Sequence, residues 1–215
     1  MLIGLVIDIQ ASESERPEQR RGVPLATRLP LGDSGADERH YSVWKSTAKG
    51  EFDVCVVLHG LGPGSRWAAQ CAVGDPVEIS RSHVLPIALD RSTEAHLFFG
   101  DETSIAASDA MIQALPADAV VFACFEISSM ERRWPDPEVV RPEAVRWVDR
   151  AGRAGSALVS WLARQRLPSA KSTTAYVTGE AWLCAVVHAH LVRDRGFPAG
   201  AVRAMPYWKT RSKSP

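Results

Sequence analysis

No apolar run in this chain approaches the roughly 20 residues that a membrane-spanning helix needs. The opening Met1-Leu-Ile-Gly-Leu-Val-Ile7 reaches Asp8 without the basic lead of a signal peptide. Charge of one sign is missing too: 25 Lys and Arg balance 25 Asp and Glu, so nothing marks nucleic acid or an anionic membrane as a partner. Cysteine is sparse. Cys55, Cys71, Cys124 and Cys184 lie far apart, which excludes the paired spacings of zinc and iron–sulfur sites. Three of them sit in apolar segments and are expected to be buried thiols, which fits a reducing cytoplasm. Internal repeats and heptads are absent as well. What remains is an ordinary globular balance, 46% hydrophobic and 23% charged over 215 residues, enough for one large domain or two small ones.

The chain is organised around Asp53-Val-Cys-Val-Val-Leu-His-Gly-Leu-Gly-Pro-Gly-Ser-Arg-Trp-Ala-Ala69. Residues 54–58 have the length and β-branched content of a buried strand. The run stops at His59-Gly60, and Ser65 is a suitable N-cap for a short helix over 66–72. A strand, a glycine-rich turn and a helix start leave unpaired N–H groups facing outward, an arrangement that suits a phosphate or pyrophosphate. A tight connection with ordinary capping accounts for the same residues.

Residues 2–9 read as a strand. Residues 11–38 are polar, rich in Arg, Glu, Pro and Gly, and are expected to form a loop or disordered insert. Residues 41–44 and 52–58 flank the turn signal Ala48-Lys49-Gly50 and form a predicted hairpin, with a short strand following at 77–79. Beyond that point the pattern changes. Strands at 95–99, 119–127, 144–148, 174–178 and 202–207 alternate with helices at 104–115, 156–166 and 181–195. That alternation predicts a parallel sheet with helices on both faces. The expected organisation is an antiparallel β domain with one inserted helix over 1–86 and an α/β domain over 87–215.

Two strand-to-helix turns in the second half carry unusual residues, Gly100-Asp101-Glu102-Thr103 and Gly179-Glu180. Ligands of open parallel sheets bind beyond the carboxyl ends of the strands, so both turns lie where a nucleotide would sit. Gly100 permits close backbone approach, and Thr103 can cap the helix or donate to a phosphate. Asp and Thr are favoured there as caps with no ligand at all. Arg39-His40-Tyr41-Ser42 offers a charge, a ring face and a hydroxyl that can serve a flavin, and a solvated strand start explains it equally well. His59 has no Ser or Cys nucleophile at any motif spacing. His188 and His190 stand two apart on a predicted helix and make a poor metal pair. Trp134, Trp147, Trp161 and Trp182 read as packing residues. Tyr207-Trp208 either covers a flat ring or packs a terminal strand.

Taken in order, these segments resemble one family, the siderophore-interacting proteins, flavin-dependent ferric-siderophore reductases of the ferredoxin–NADP reductase superfamily. The matching segments are Arg39-His-Tyr-Ser42, Val57-Leu-His-Gly60, Gly62-Pro-Gly-Ser-Arg-Trp-Ala68, Gly74-Asp-Pro76, Phe99-Gly-Asp-Glu-Thr-Ser104, Thr178-Gly-Glu180 and Tyr207-Trp208. They span nearly everything from residue 38 to 209. The resemblance implies an antiparallel FAD-binding β-barrel followed by a parallel-sheet domain for NAD(P)H. It places Arg39 at the FAD phosphate, Tyr41 against the isoalloxazine and Ser42 near its reactive nitrogen. Val57, Leu58 and His59 would follow the ribityl chain, and Ser65, Trp67 and Ala68 would hold the pyrophosphate. Gly100, Asp101, Glu102 and Thr103, with Gly179 and Glu180, would line the nicotinamide cleft. Trp208 would lie near the flavin, and Lys209 would attract an anionic iron chelate.

The implied activity is transfer of hydride from NAD(P)H to FAD and of single electrons to the Fe(III) of a ferric siderophore, releasing iron in the cytoplasm. The protein itself needs no nucleophile. Two other readings fit the same residues: a non-catalytic remnant that binds a ferric chelate or partner without retaining FAD, and a ferredoxin-dependent reductase of the broader fold. The chain departs from the family pattern at Trp44, where an Arg is usual, and at Pro206, where a Gly precedes the aromatic pair. The segment before Tyr41 is also short for the leading strands of a six-stranded barrel, so the barrel is expected to be incomplete at its N-terminus. Arg132, Arg133 and Arg193 are candidates for a 2′-phosphate pocket.

Overall fold

The computed structural model of the chain describes residues 4–10, 24–29, 37–46, 51–59, 62–75, 77–80, 87–128 and 141–210. The expected turn at 48–50, Gly60, Trp134 and the candidates Arg132 and Arg133 lie outside the described residues. Two compact units emerge, Met1–Pro86 with Ala106–Ala114, and Ile87–Ile105 with Leu115–Pro215.

The first unit is built on β1 (Gly4–Gln10), β2 (Pro24–Leu29), β3 (Asp37–Ser46), β4 (Glu51–Val57) and β5 (Glu78–Ser80). They form one five-stranded sheet in the order β1-β4-β3-β2-β5, and each of its ladders is antiparallel. β3 and β4 are the hairpin strands read from the sequence. Phe52, Val54 and Val56 of β4 are buried, while Asp53, Cys55 and Val57 between them are half-buried, the period of two that a one-sided sheet imposes. Cys55 is therefore not a core thiol, contrary to the apolar look of its neighbours. Helix α1 (Pro63–Gln70) follows β4 and sets Ala68 into the same core.

One expectation about this unit is corrected here. The region 11–38 is not a loop throughout, because β2 lies within it and pairs with β3 on one side and β5 on the other. Pro24, Ala26 and Arg28 give little local β signal. The strand exists because both of its edges find hydrogen-bonding partners, a tertiary effect that outweighs propensity. Val43 and Trp44 are both buried although adjacent. A register shift between Val43 and Lys45 breaks the alternation at this point, as a β-bulge does. The Trp44 indole Nε1 then donates to Asp109 Oδ2 at 2.7 Å, and Gln113 Nε2 donates to the same oxygen at 2.8 Å. Both partners lie on α2 (Ile105–Gln113), expected in the second domain from its place in the chain; its stretch Ala106–Ala114 instead groups with the first unit.

The second unit holds β6 (Ala95–Asp101), β7 (Val120–Ile127), β8 (Val145–Asp149), β9 (Thr173–Glu180) and β10 (Val202–Trp208) in a parallel sheet of order β10-β9-β6-β7-β8. On one face, Leu97, Phe99, Cys124, Ala175 and Val177 join α3 (Ser156–Leu162) and α4 (Ala181–Ala189) through Leu158, Leu162, Leu183, Cys184 and Val187. Side chains on the sheet's alternate positions are buried as well: Phe98 stacks on Tyr176 with centroids 4.9 Å apart, and His96 on Tyr176 at 6.2 Å. Trp161 stacks on Phe122 at 5.5 Å and Trp147 leans on Phe125 at 5.7 Å, so both are packing residues as read. Trp182 is not, being 40% exposed beneath the guanidinium of Arg153. After α4 the chain makes a π turn, His190–Asp194, where the sequence suggested one continuous helix to 195. Among the described residues no group of His, Cys, Asp and Glu forms a metal cluster, and no helix is long and apolar enough to cross a membrane.

Candidate functional site

In the first unit, Arg39 and Tyr41 share one face of β3 by their i, i+2 spacing and Ser42 takes the other. All three are half-buried. Burial raises the Tyr41 phenol above its ordinary value, and the Arg39 charge acts in the opposite sense, so the two side chains feel each other. Tyr41, Leu58 and Trp67 all pack against the cluster of Val43, Phe52, Val54, Val56 and Ala68. The structure thus brings Tyr41, Leu58, Trp67 and Ala68 to one place, with Val57 ending β4 and exposed His59 following it.

The turn between β4 and α1 differs from expectation at its cap. The helix begins at Pro63, with Gly62 at the N-cap and φ of 79° there, a backbone region that only glycine enters without cost. Proline at the first helical position lacks an N–H that would be unpaired anyway. Ser65 is therefore inside the first turn. Its buried Oγ accepts the backbone N–H of His59 at 2.9 Å and closes the turn from within. The N-cap residue of α1 brings no capping side chain, and the first turn holds no acidic residue. The helix's first-turn N–H groups have no intrahelical acceptor, and no acid of that turn offsets the positive end of its dipole.

In the second unit the carboxyl ends of β6, β9 and β10 converge on one side chain. Asp101, at 0% exposure, accepts the Thr103 N–H at 2.9 Å and the Thr103 hydroxyl at 2.5 Å on Oδ1. Its Oδ2 accepts the Glu180 N–H at 2.7 Å and the Trp208 indole N–H at 3.1 Å. Burial pushes this carboxyl above its ordinary value, against the pull of Thr103 and Glu180. Glu180 is buried too, but its net shift is downward: burial raises it, and the N–H groups of Thr210, Leu183 and Trp182 more than offset that. Through those bonds Glu180 caps α4, with Oε2 accepting from Trp182 at 2.5 Å and from Leu183 at 3.1 Å.

The glycines of these turns face the protein itself. A Cβ on Gly100 would lie 2.0 Å from Ser104 Oγ and 2.5 Å from the Thr178 carbonyl oxygen. One on Gly179 would lie 2.6 Å from the Asp101 carboxylate. Close approach is what both glycines permit, and the approaching atoms belong to the turn after β6, through Ser104, and to the neighbouring strand ends, through Thr178 and Asp101. Glu102 is likewise engaged, paired with Arg150 at 2.5 Å. Trp208 and Lys209 stay exposed.

Sequence reasoning missed Arg150 and Glu126. Glu126, fully buried in β7, accepts Arg150 Nε at 3.2 Å and the N–H groups of Gly155 and Leu158 at the start of α3. The available signal was a lone acidic residue inside the apolar run 119–127.

Comparison with known proteins gives two family matches, the siderophore-interacting FAD-binding domain over residues 9–83 and the siderophore-interacting protein model over residues 93–211. The ferric vibriobactin reductase ViuB of Vibrio cholerae is 25% identical over 178 residues, 80% of this chain and 64% of ViuB. Mycobacterial relatives, among them an uncharacterized protein of Mycobacterium tuberculosis, are 34% identical over 189 residues. The chain spans 61% of their length. Among solved structures, the siderophore-interacting protein SipS of Aeromonas hydrophila superimposes with a TM-score of 0.77 at 23% identity, covering 95% of this chain and 91% of SipS. A ferredoxin NADP+ reductase of Neisseria gonorrhoeae with bound FAD and NADP gives 0.73 at 18% identity, over 96% of this chain and 93% of that one. These two likenesses establish a ferredoxin-reductase-like fold.

Proposed function

Because this chain belongs to the siderophore-interacting protein family, we propose that it serves an NAD(P)H-dependent, FAD-dependent ferric-siderophore reductase that frees iron in the cytoplasm. The observation that carries this reading is the N-terminus of α1, where the N-cap residue Gly62 brings no side chain, Pro63 follows, and the first turn holds no acidic residue. It lies inside the segment matched by the flavin-domain model. Outward N–H groups at the positive end of a helix are a donor set that fits a diphosphate. FAD, when bound, supplies the conversion of a two-electron donor into single electrons.

The chain's own residues hold and orient. Ser65 keeps the β4–α1 turn closed through the His59 N–H, with Trp67 and Ala68 seating α1 on the sheet. Arg39 supplies positive charge for the phosphate, Tyr41 a ring face and Ser42 a hydroxyl toward the flavin edge, with Val57 and Leu58 alongside. In the second unit, Gly100 and Thr103, with Gly179, shape the strand ends that receive the nicotinamide. Asp101, Glu102 and Glu180 act there through the backbone they position, since their carboxylates already accept internal donors. Trp208 offers its exposed ring, and Lys209 offers charge to an anionic ferric siderophore.

The test is an absorbance spectrum of the purified chain after incubation with excess FAD and removal of free cofactor, followed by anaerobic addition of NADPH and a ferric catecholate. Near-stoichiometric flavin, bleached by NADPH and recoloured by the chelate, is expected. A folded but colourless protein overturns the reading.

A further inference from the structure

Trp208 ends β10, the edge strand of the parallel sheet, with 39% of its surface exposed. Packing alone does not hold such a ring. The register of β10 on β9 also breaks between Pro206 and Trp208, and proline has no N–H to give to a ladder. Yet the indole has a fixed point. Its Nε1 donates at 3.1 Å to Asp101, at the end of β6 and two strands away. Two residues further on, the Thr210 backbone N–H donates to Glu180 Oε1 at 3.1 Å. Two buried carboxylates, from the ends of β6 and β9, therefore hold one short exposed segment.

The chemistry of Asp101 suits this task and little else. All four of its hydrogen-bond donors are neutral, two to each oxygen. Burying a carboxylate among neutral donors is costly. The isosteric amide would turn an NH2 toward at least one backbone or indole N–H and lose that bond. Only a carboxylate accepts on both sides. Gly179 completes the arrangement, because any Cβ there would overlap the Asp101 carboxyl.

We propose that Asp101 and Glu180 are positioning residues that fix the Trp208 indole and the chain to Thr210 over the carboxyl ends of β6 and β9, and so set the pose in which this ring meets the nicotinamide. The ligand named here rests on the functional reading above; the latch rests on the hydrogen bonds.

The test uses the full chain with 15N-labelled tryptophan indoles, the Trp208 signal being assigned by its loss in Trp208→Phe. In the unaltered protein the Trp208 indole proton should exchange with solvent at least tenfold more slowly than in Asp101→Asn. Thr210→Pro removes the N–H that Glu180 accepts and leaves Asp101 untouched. It should speed exchange severalfold, and it decides the matter if Asp101→Asn does not fold. Equal exchange rates in the unaltered protein and the folded variants overturn the latch. At saturating FAD, Asp101→Asn or Thr210→Pro should raise KM for NADPH about fivefold with a smaller change in kcat. An unchanged KM beside altered exchange overturns the link to the nicotinamide. If the unaltered chain takes up no FAD, the functional reading fails, and the exchange rates alone support or overturn the latch.

Discussion

Both carboxylate oxygens of Glu126 accept the backbone N–H of Gly155, at 3.0 and 3.1 Å, although the two residues are 29 positions apart. Gly155 is the N-cap of α3 and brings no capping side chain of its own. A fully buried acid in the neighbouring strand does that work, and Arg150 ties the same acid to Glu102.

Removing one member of this group should cost in proportion to the charge left without a partner. Glu126→Gln strands Arg150 on one side and turns an amide N–H2 toward the helix start, an expected loss of about 3–5 kcal/mol. Glu102→Gln, which removes the more exposed of the two acids that share Arg150, should lose about 1 kcal/mol. Urea unfolding followed by circular dichroism ranks the two, and equal losses would contradict the assignment.

Gly179→Ala should be as damaging without touching any charge. The position has φ of 118° and a Cβ would sit 2.6 Å from Asp101 Oδ2. Backbone strain and overlap together should cost about 2–4 kcal/mol, or a melting temperature lower by about 2–4 °C per kcal/mol. An alanine variant that melts with the unaltered protein would show that the strand ends are looser than described.

His96 gives the chain an acid-sensitive point. It is 1% exposed in β6, and burial, the largest influence, lowers its pKa from the ordinary 6.5. The folded state therefore takes up this proton less readily than the unfolded chain. Stability is unaffected above 6.5 and falls as the pH drops from there toward the lowered value. His96→Leu should flatten the fall in melting temperature between pH 7 and 5. A parallel fall in both proteins would remove His96 as its cause.

The thiols should divide into two classes. Cys124 and Cys184 are buried, and burial pushes both thiols up, Cys184 to about 12. Cys55 and Cys71 are half-exposed. A disulfide reagent should label the latter pair in the native protein, even though burial and then Asp75 raise the pKa of Cys71. The other pair should react only on unfolding.

Much of this was legible in the sequence because it repeats locally. The alternation of β4 and the strand-helix alternation after residue 95 state their own periods. What escaped reading depends on partners distant in the chain. Nothing near Pro24 shows that β3 and β5 will pair with β2 on either side. Nothing near Ser65 shows that its oxygen is aimed back at His59 rather than at its own helix. Asp101, Glu102 and Glu180 fit capping and cleft-lining alike in the sequence, because a turn acid reads the same whether its donors come from a ligand or from another strand. Arg150 and Glu126, 24 residues apart, belong to no motif at all.

The π turn at His190–Asp194 has a consequence for a helix it does not belong to. A π turn holds one residue more than α-helical spacing allows, which resets the angle at which the following chain leaves. That angle delivers the Arg195 guanidinium to the carbonyl oxygens of Leu162, the last residue of α3, and of Gln165 just after it, at 2.8 and 2.7 Å; the last turn of α3 itself holds no basic residue. Deleting one residue from the turn would restore regular winding and swing Arg195 away by about 100°. The irregularity is a phase offset: one surplus residue in one helix supplies the end cap of another.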